Sequence, residues 1–119
     1  MKGNMSSLLQ SLSNDLANAT EKAGRAVVRV DDGTRLTASG VVWEPGVVVS
    51  TSHGVERDEE LAIETGDGLR IPATLVGRDP DSDLAVLRFA GAEPAPIERV
   101  AARDVRIGQL ALAVGRPGD

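Results

Sequence analysis

Short valine-rich runs separated by turn-forming residues constrain the fold of this chain more than any other sequence feature. Two of the clearest runs are residues 26–30 (AVVRV) and 47–50 (VVVS), and β-branched residues favour pleated strands. Between such runs lie turn sequences with Gly, Pro and Asp at residues 31–33, 44–46 and 65–68. No helical pattern recurs between the runs, which disfavours βαβ units. The pattern predicts a small antiparallel barrel or sandwich.

Seven strands are predicted, at residues 26–30, 36–43, 47–50, 61–64, 69–78, 84–89 and 110–114. Gly40 lies inside the second run, which predicts a bulge or a close approach of two backbones. Pro72 lies inside the fifth, where its missing N–H predicts an edge position or a bend.

One amphipathic helix is predicted before the first strand, over residues 6–22, after a disordered tail at residues 1–5. Leu8, Leu9, Leu12, Leu16 and Ala19 recur at helical spacing, and a glycine at position 24 suits the end of the helix. The polar face is rich in Ser and Asn, so we expect packing on the following strands rather than on a membrane surface. The predicted division is therefore residues 1–24, tail and helix, and residues 25–119, β domain.

Composition excludes several classes of function. The chain has no cysteine, and its 13 basic and 18 acidic residues give a net charge of -5. That charge argues against nucleic acid as a partner, and the scarcity of aromatic residues, Trp43 and Phe89 only, leaves no stacking platform for single strands. No apolar run approaches the roughly 20 residues of a membrane span, and no secretory signal is evident. The compartment stays open.

His53, the only histidine, lies shortly after the run at residues 47–50, and Asp83 directly precedes the run at residues 84–89. A solitary histidine at a strand end is usually structural or solvated. Asp79, Asp81 and Asp83 alternate as in a calcium loop, but Leu84 stands where that loop needs glycine. One histidine without cysteine is also a poor site for other metals, so we expect no metal and no cofactor.

The context of these two residues resembles the trypsin-like serine proteases of the HtrA/DegP family. The resemblance rests on Val-Val-Val-Ser-Thr-Ser-His-Gly-Val at residues 47–55 and on Ser-Asp-Leu-Ala-Val-Leu at residues 82–87. It is extended by Ser-Gly-Val-Val at residues 39–42, by residues 67–80, and by Arg-Ile-Gly-Gln through Val-Gly-Arg-Pro-Gly at residues 106–118. Each motif is moderately specific, and their shared order and spacing strengthen the resemblance.

The resemblance implies an all-β fold, an N-terminal trypsin-like barrel of six to seven strands over residues 25–119. It implies that His53 is the general base of a serine endopeptidase and Asp83 the carboxylate that orients it. The family's Gly-x-Ser-Gly-Gly motif does not occur in the sequence. We therefore expect one barrel of a two-barrel protease, inactive by itself, whose parent acts on unfolded protein or peptide substrates. Gly54 departs from the Val or Ala usual in the family, and glycine there is expected to loosen the backbone beside His53.

Two alternatives follow from the same observations. The absent serine and Gly54 are also compatible with a non-catalytic β-barrel binding module or a pseudoprotease. A bare face meant for the second barrel would favour self-association, so a homo-oligomer of the fragment is a further expectation.

Overall fold

A computed structural model describes residues 2–117 of the chain, with side chains from Asn4 onward. One helix precedes six strands in this part of the chain, and a single 3-10 turn, Ala102–Asp104, follows them. The helix α1 is Lys2–Gly24, and the strands are β1 Val27–Asp31, β2 Ala38–Glu44, β3 Val47–Thr51, β4 Leu61–Glu64, β5 Arg70–Asp79 and β6 Leu84–Phe89. The strands pair antiparallel in a closed barrel of order β1-β2-β3-β6-β5-β4. The all-β barrel is thus confirmed, and the sandwich is not formed.

Branched apolar side chains fill the barrel interior, as the valine-rich runs predicted. The side chains of Val28, Val42, Val48, Ile63 and Leu87 are all fully buried. Burial alternates along β2 and β3, because successive side chains of a strand point to opposite faces of the sheet. The residues of the inner face therefore make one continuous core inside the barrel.

Gly40 marks a place where strands approach closely, as its position in β2 predicted. A Cβ atom on this residue would lie 2.6 Å from Cγ1 of Val48 and 3.0 Å from Cγ2 of Val30. Pro72 pairs with Ala62 of β4, whereas the pairing of β5 with β6 begins at the next residue. Proline thus occupies the end of β5 that has one neighbouring strand, in agreement with the predicted edge position.

The predicted seventh strand at residues 110–114 is wrong. This segment has no regular secondary structure, and Leu110 and Leu112 are exposed. Its alternating pattern suits a strand, but β1 pairs with β4 and closes the barrel, so no edge remains for it to join. Arg116 fastens the end of the segment to the barrel: its Nε donates to the carbonyl of Val27 and its backbone N to Oγ of Ser39, both at 2.8 Å.

The helix differs from its prediction in two ways. It begins at Lys2 rather than at residue 6, so residues 2–5 are helical and not a tail; residue 1 lies outside the described part. It also does not lie on the strands, because Leu8, Leu9 and Leu12 remain exposed and only the last turn is near the barrel. A 23-residue helix is about 35 Å long, which fits the 60 Å long axis of the molecule. Between residues 2 and 117, no helix is long and apolar enough to cross a membrane.

Candidate active site

Strand pairing brings His53 and Asp83 together. His53 lies in the turn that follows β3, and Asp83 lies in the turn that precedes β6. The two strands are antiparallel neighbours, and their register pairs Thr51, the last residue of β3, with Leu84, the first of β6. Residues just beyond these ends must therefore meet at one end of the barrel, although they are far apart in sequence.

Both oxygens of the Asp83 carboxylate contact His53. Oδ1 accepts the backbone N–H of His53 at 2.8 Å, and Oδ2 lies 2.6 Å from Nδ1 of the imidazole. The Asp83 carbonyl also accepts the N–H of Ser52 at 3.1 Å. An ionised carboxylate can only accept, so this pairing favours the tautomer with the proton on Nδ1 and leaves Nε2 as a free acceptor.

Asp83 has a left-handed backbone conformation at this contact. Its φ angle is 59°, in the left-handed region that aspartate tolerates better than most residues. The backbone N–H and then the ring of His53 lower the pKa of the Asp83 carboxyl, so it is charged near neutral pH. The pair is open to solvent, since the side chain of His53 is 78% exposed and that of Asp83 43%.

Two further charged residues, which the sequence did not single out, hold the backbone on either side of His53. Arg78 on β5 donates to the carbonyls of Ser52 and Val55, and the buried Asp32 accepts the backbone N–H of Glu56. No local signal identifies either residue, because every one of these bonds joins distant parts of the chain. The sequence places Asp32 in a turn and Arg78 in a strand, and the family-like stretch at residues 67–80 includes Arg78 without indicating its bonds.

Gly54 is tightly packed and does not loosen the turn as expected. A Cβ atom there would lie 2.6 Å from Oγ1 of Thr51 and 2.8 Å from Cβ of Ala38. Real Cβ contacts are essentially never so short, so glycine is the residue that lets this turn approach β2. The departure from the family pattern thus has a packing reason in this chain.

The acidic turn before β6 uses its carboxylates for separate purposes. Asp79 accepts the N–H of Asp81 at 3.2 Å and the hydroxyl of Ser82 at 2.9 Å, while Asp83 faces the histidine. Ser82 is accordingly a turn residue. Within the described residues, no group of three or more His, Cys, Asp or Glu side chains could hold a metal ion.

Comparison with known proteins identifies relatives of this barrel. A family model described as "Trypsin-like peptidase domain" matches residues 38–119. The chain is 33% identical over 81 residues to a probable periplasmic serine endoprotease DegP-like of Rickettsia conorii, covering 66% of this chain and 16% of the relative. It is 32% identical over 84 residues to the periplasmic pH-dependent serine endoprotease DegQ of Escherichia coli, covering 66% of this chain and 18% of that protein.

A solved structure, that of the serine endoprotease from Yersinia pestis, is also similar. The TM-score is 0.58 at 31% sequence identity, and the match covers 66% of this chain and 30% of the Yersinia chain. The chain therefore spans less than a third of each of these proteins. The range matched by the family model, residues 38–119, includes both turns that carry the candidate site.

Proposed function

The chain belongs to the trypsin-like peptidase family, and on that premise we propose that it supplies the general base and the orienting carboxylate of a serine endopeptidase of HtrA/DegP type. The observation that carries the proposal is the contact of both Asp83 carboxylate oxygens with His53. One oxygen fixes the backbone of the histidine and the other fixes its ring, which is the arrangement that general-base catalysis by imidazole needs.

In the proposed mechanism Nε2 of His53 accepts the proton of a serine hydroxyl as the serine oxygen attacks the substrate carbonyl. The same proton is then given to the leaving amine, and water repeats the cycle on the acyl-enzyme. Asp83 stays ionised throughout and stabilises the imidazolium that forms, consistent with its lowered pKa.

The nucleophile and the oxyanion hole are assigned to a second barrel, because Gly-x-Ser-Gly-Gly does not occur in these 119 residues. The exposure of His53 supports that assignment, since the open face of the imidazole is where a serine would approach. We assign residues 25–119 to the barrel half of the protease domain and residues 1–24 to a separate N-terminal segment that contains the helix Lys2–Gly24. The names of the relatives support protein or peptide substrates and a periplasmic location.

A chimeric enzyme tests this function. In it, the present chain replaces the corresponding part of the Escherichia coli DegQ relative, which supplies the rest of the protease domain. A fluorophosphonate probe is expected to label the chimera and not the 119-residue chain. The His53→Ala chimera should label at least about 10³-fold more slowly, because the serine loses its base.

An exposed carboxylate in the same acidic turn provides the matched control. The Asp81→Ala chimera should label at the rate of the unsubstituted chimera, because the Asp81 side chain is exposed and does not contact His53. A folded chimera that labels equally fast with and without His53 would contradict the proposed function. So would a folded chimera that is not labelled at all.

A further inference from the structure

Arg78 holds the two backbone carbonyls that bracket His53. Its Nη1 donates to the carbonyl of Ser52 at 2.9 Å and to the carbonyl of Val55 at 2.7 Å. The same nitrogen lies 3.2 Å from the buried hydroxyl of Ser52, and Nη2 pairs with Asp58 at 2.7 Å. The Arg78 side chain is 25% exposed, so its bonds to Ser52 and Val55 are partly shielded from water.

Asp32 holds the next part of the same segment. The residue is 1% exposed, and Oδ2 of its carboxylate accepts the backbone N–H of Glu56 at 2.8 Å and that of Arg57 at 3.3 Å. Oδ1 accepts the N–H and the hydroxyl of Thr34, at 3.0 and 2.6 Å. The turn after β1 and the segment after His53 are therefore joined through one buried charge.

Together the two residues tie backbone atoms on both sides of His53 to β5 and to the turn after β1. Hydrogen bonds to charged groups are stronger than neutral ones, and a part-buried location strengthens them further. The turn can then rotate little, and the Cα–Cβ vector of His53 keeps its direction toward Asp83. Among the described residues, Asp83 is the hydrogen-bond partner of the imidazole, but it acts on a ring whose backbone has already been fixed by Arg78 and Asp32.

We propose that Arg78 is a positioning residue for the candidate base His53, with Asp32 fixing the segment that follows. The inference rests on the proposed function, in which His53 is the base. Arginine suits the role because its planar guanidinium carries five N–H donors and can bond several carbonyls and a carboxylate at once. Lysine has one nitrogen for the same acceptors, so Arg78→Lys should restore the position of His53 only in part.

The test uses nuclear magnetic resonance of the 119-residue chain, in which His53 is the only histidine, so its ring nitrogen signals are unambiguous. The measured quantities are the fraction of the neutral ring that carries its proton on Nδ1 and the exchange rate of that proton with water. Arg78→Met should lower the fraction and raise the exchange rate about tenfold, as expected for losing bonds to a charged group. Arg78→Lys should give intermediate values.

The matched control is Arg88→Met, which removes an exposed arginine from β6. Both ring quantities should equal those of the wild type in this variant. A role limited to stabilising the fold would lower the unfolding midpoint of Arg78→Met and leave the ring signals of the folded chain unchanged, and that result would overturn the proposal. If Arg78→Met does not fold, Arg78→Lys decides, and wild-type ring signals in it would equally overturn the proposal.

The outcome of the Arg78 test can be separated from the outcome of the chimera test of the proposed function. The ring signals depend on neither a serine nor a substrate, so an inactive chimera with a well-ordered His53 ring contradicts the function and leaves the positioning role intact. Conversely, a folded Arg78→Met chimera that labels as fast as its parent contradicts the positioning role alone.

Discussion

Asp32 and Asp83 both hold the segment around His53, yet they differ in what they contact. Asp32 is 1% exposed and accepts hydrogen bonds from backbone N–H groups and one hydroxyl. Asp83 has a 43% exposed side chain, and it divides its oxygens between the backbone and the ring of His53. A carboxylate bonded to groups that do not titrate can only organise backbone. One that reaches an open imidazole can also influence proton transfer.

The pKa values of the two carboxyl groups are lowered for different reasons. Burial by itself raises the pKa of Asp32, but hydrogen bonds from Thr34, Glu56 and Arg57 outweigh it and leave a lowered value. The pKa of Asp83 is lowered first by the backbone N–H of His53 and then by its ring. Both carboxylates are charged near neutral pH, and a titratable donor contributes only to the second.

The largest expected effect separates the two residues by activity. In the DegQ chimera, Asp83→Asn should reduce the rate of peptide hydrolysis by about 10⁴-fold, because an amide N–H group facing Nδ1 favours the wrong ring tautomer. The asparagine oxygen can still accept the N–H of His53, so the thermal unfolding midpoint should change little. Hydrolysis of a chromogenic peptide and a thermal melt of the same sample measure both effects. A large loss of stability with an unchanged rate would make Asp83 a structural residue like Asp32.

The next effect separates the residues by stability. Asp32→Ala should lower the free energy of unfolding by about 2–4 kcal/mol, because it leaves buried N–H groups without an acceptor. Urea denaturation of the 119-residue chain measures the change, and Asp81→Ala, at an exposed carboxylate, should alter it by less than about 0.5 kcal/mol. A neutral Asp32→Ala would mean that Arg78 alone holds the turn.

A smaller effect tests how tightly Gly54 packs against Thr51 and Ala38. Gly54→Ala should cost about 1–3 kcal/mol, because the new methyl group would overlap Oγ1 of Thr51 and Cβ of Ala38. Gly77→Ala is the matched control, since a Cβ atom at that strand position has no heavy atom within 4 Å. If Gly54→Ala is as stable as the wild type, the turn adjusts easily. The contrast between a tightly packed turn backbone and an exposed imidazole is then weaker.

The fold could be predicted from sequence wherever local pattern and pairing agree. The runs and their turns predicted β4 and β6 to the residue and the other four strands to within two residues at each end. Residues 110–114 show the limit, because their alternation is a local property, whereas an available sheet edge is a property of the closed barrel. The exposed leucines of α1 show the same limit, since amphipathic spacing predicts a contact surface but not what lies against it.

Of the candidate site, too, one part could be predicted from the sequence and another could not. The motifs around His53 and Asp83 identified the pair, and the register of β3 and β6 explains why the two residues meet. The roles of Arg78 and Asp32 could not be found from the sequence, although residues 67–80 include Arg78, because their bonds go mainly to backbone atoms, which no side-chain motif records. Charged residues that organise backbone are visible only once the chain is folded.

The smallest expected effect is on the pH dependence of stability. The folded-state pKa of Asp83 lies below its usual value of 3.8, so the unfolded chain binds a proton there more readily. The stability that this carboxylate contributes is therefore present above that value and is lost as the pH falls through the folded-state pKa. The difference in unfolding free energy between wild type and Asp83→Asn should shrink between about pH 5 and pH 2, as followed by urea denaturation.

Repeating this titration in a His53→Ala background tests the comparison directly. Loss of the ring removes one of the groups that lower the Asp83 pKa, but the backbone N–H remains, so the pH-dependent difference should become smaller without vanishing. The corresponding difference for Asp32→Asn should not change, because every group that donates to Asp32 remains in place. Equal responses of the two aspartates would show that the ring of His53 adds nothing to the pairing, and that Asp83, like Asp32, holds only backbone.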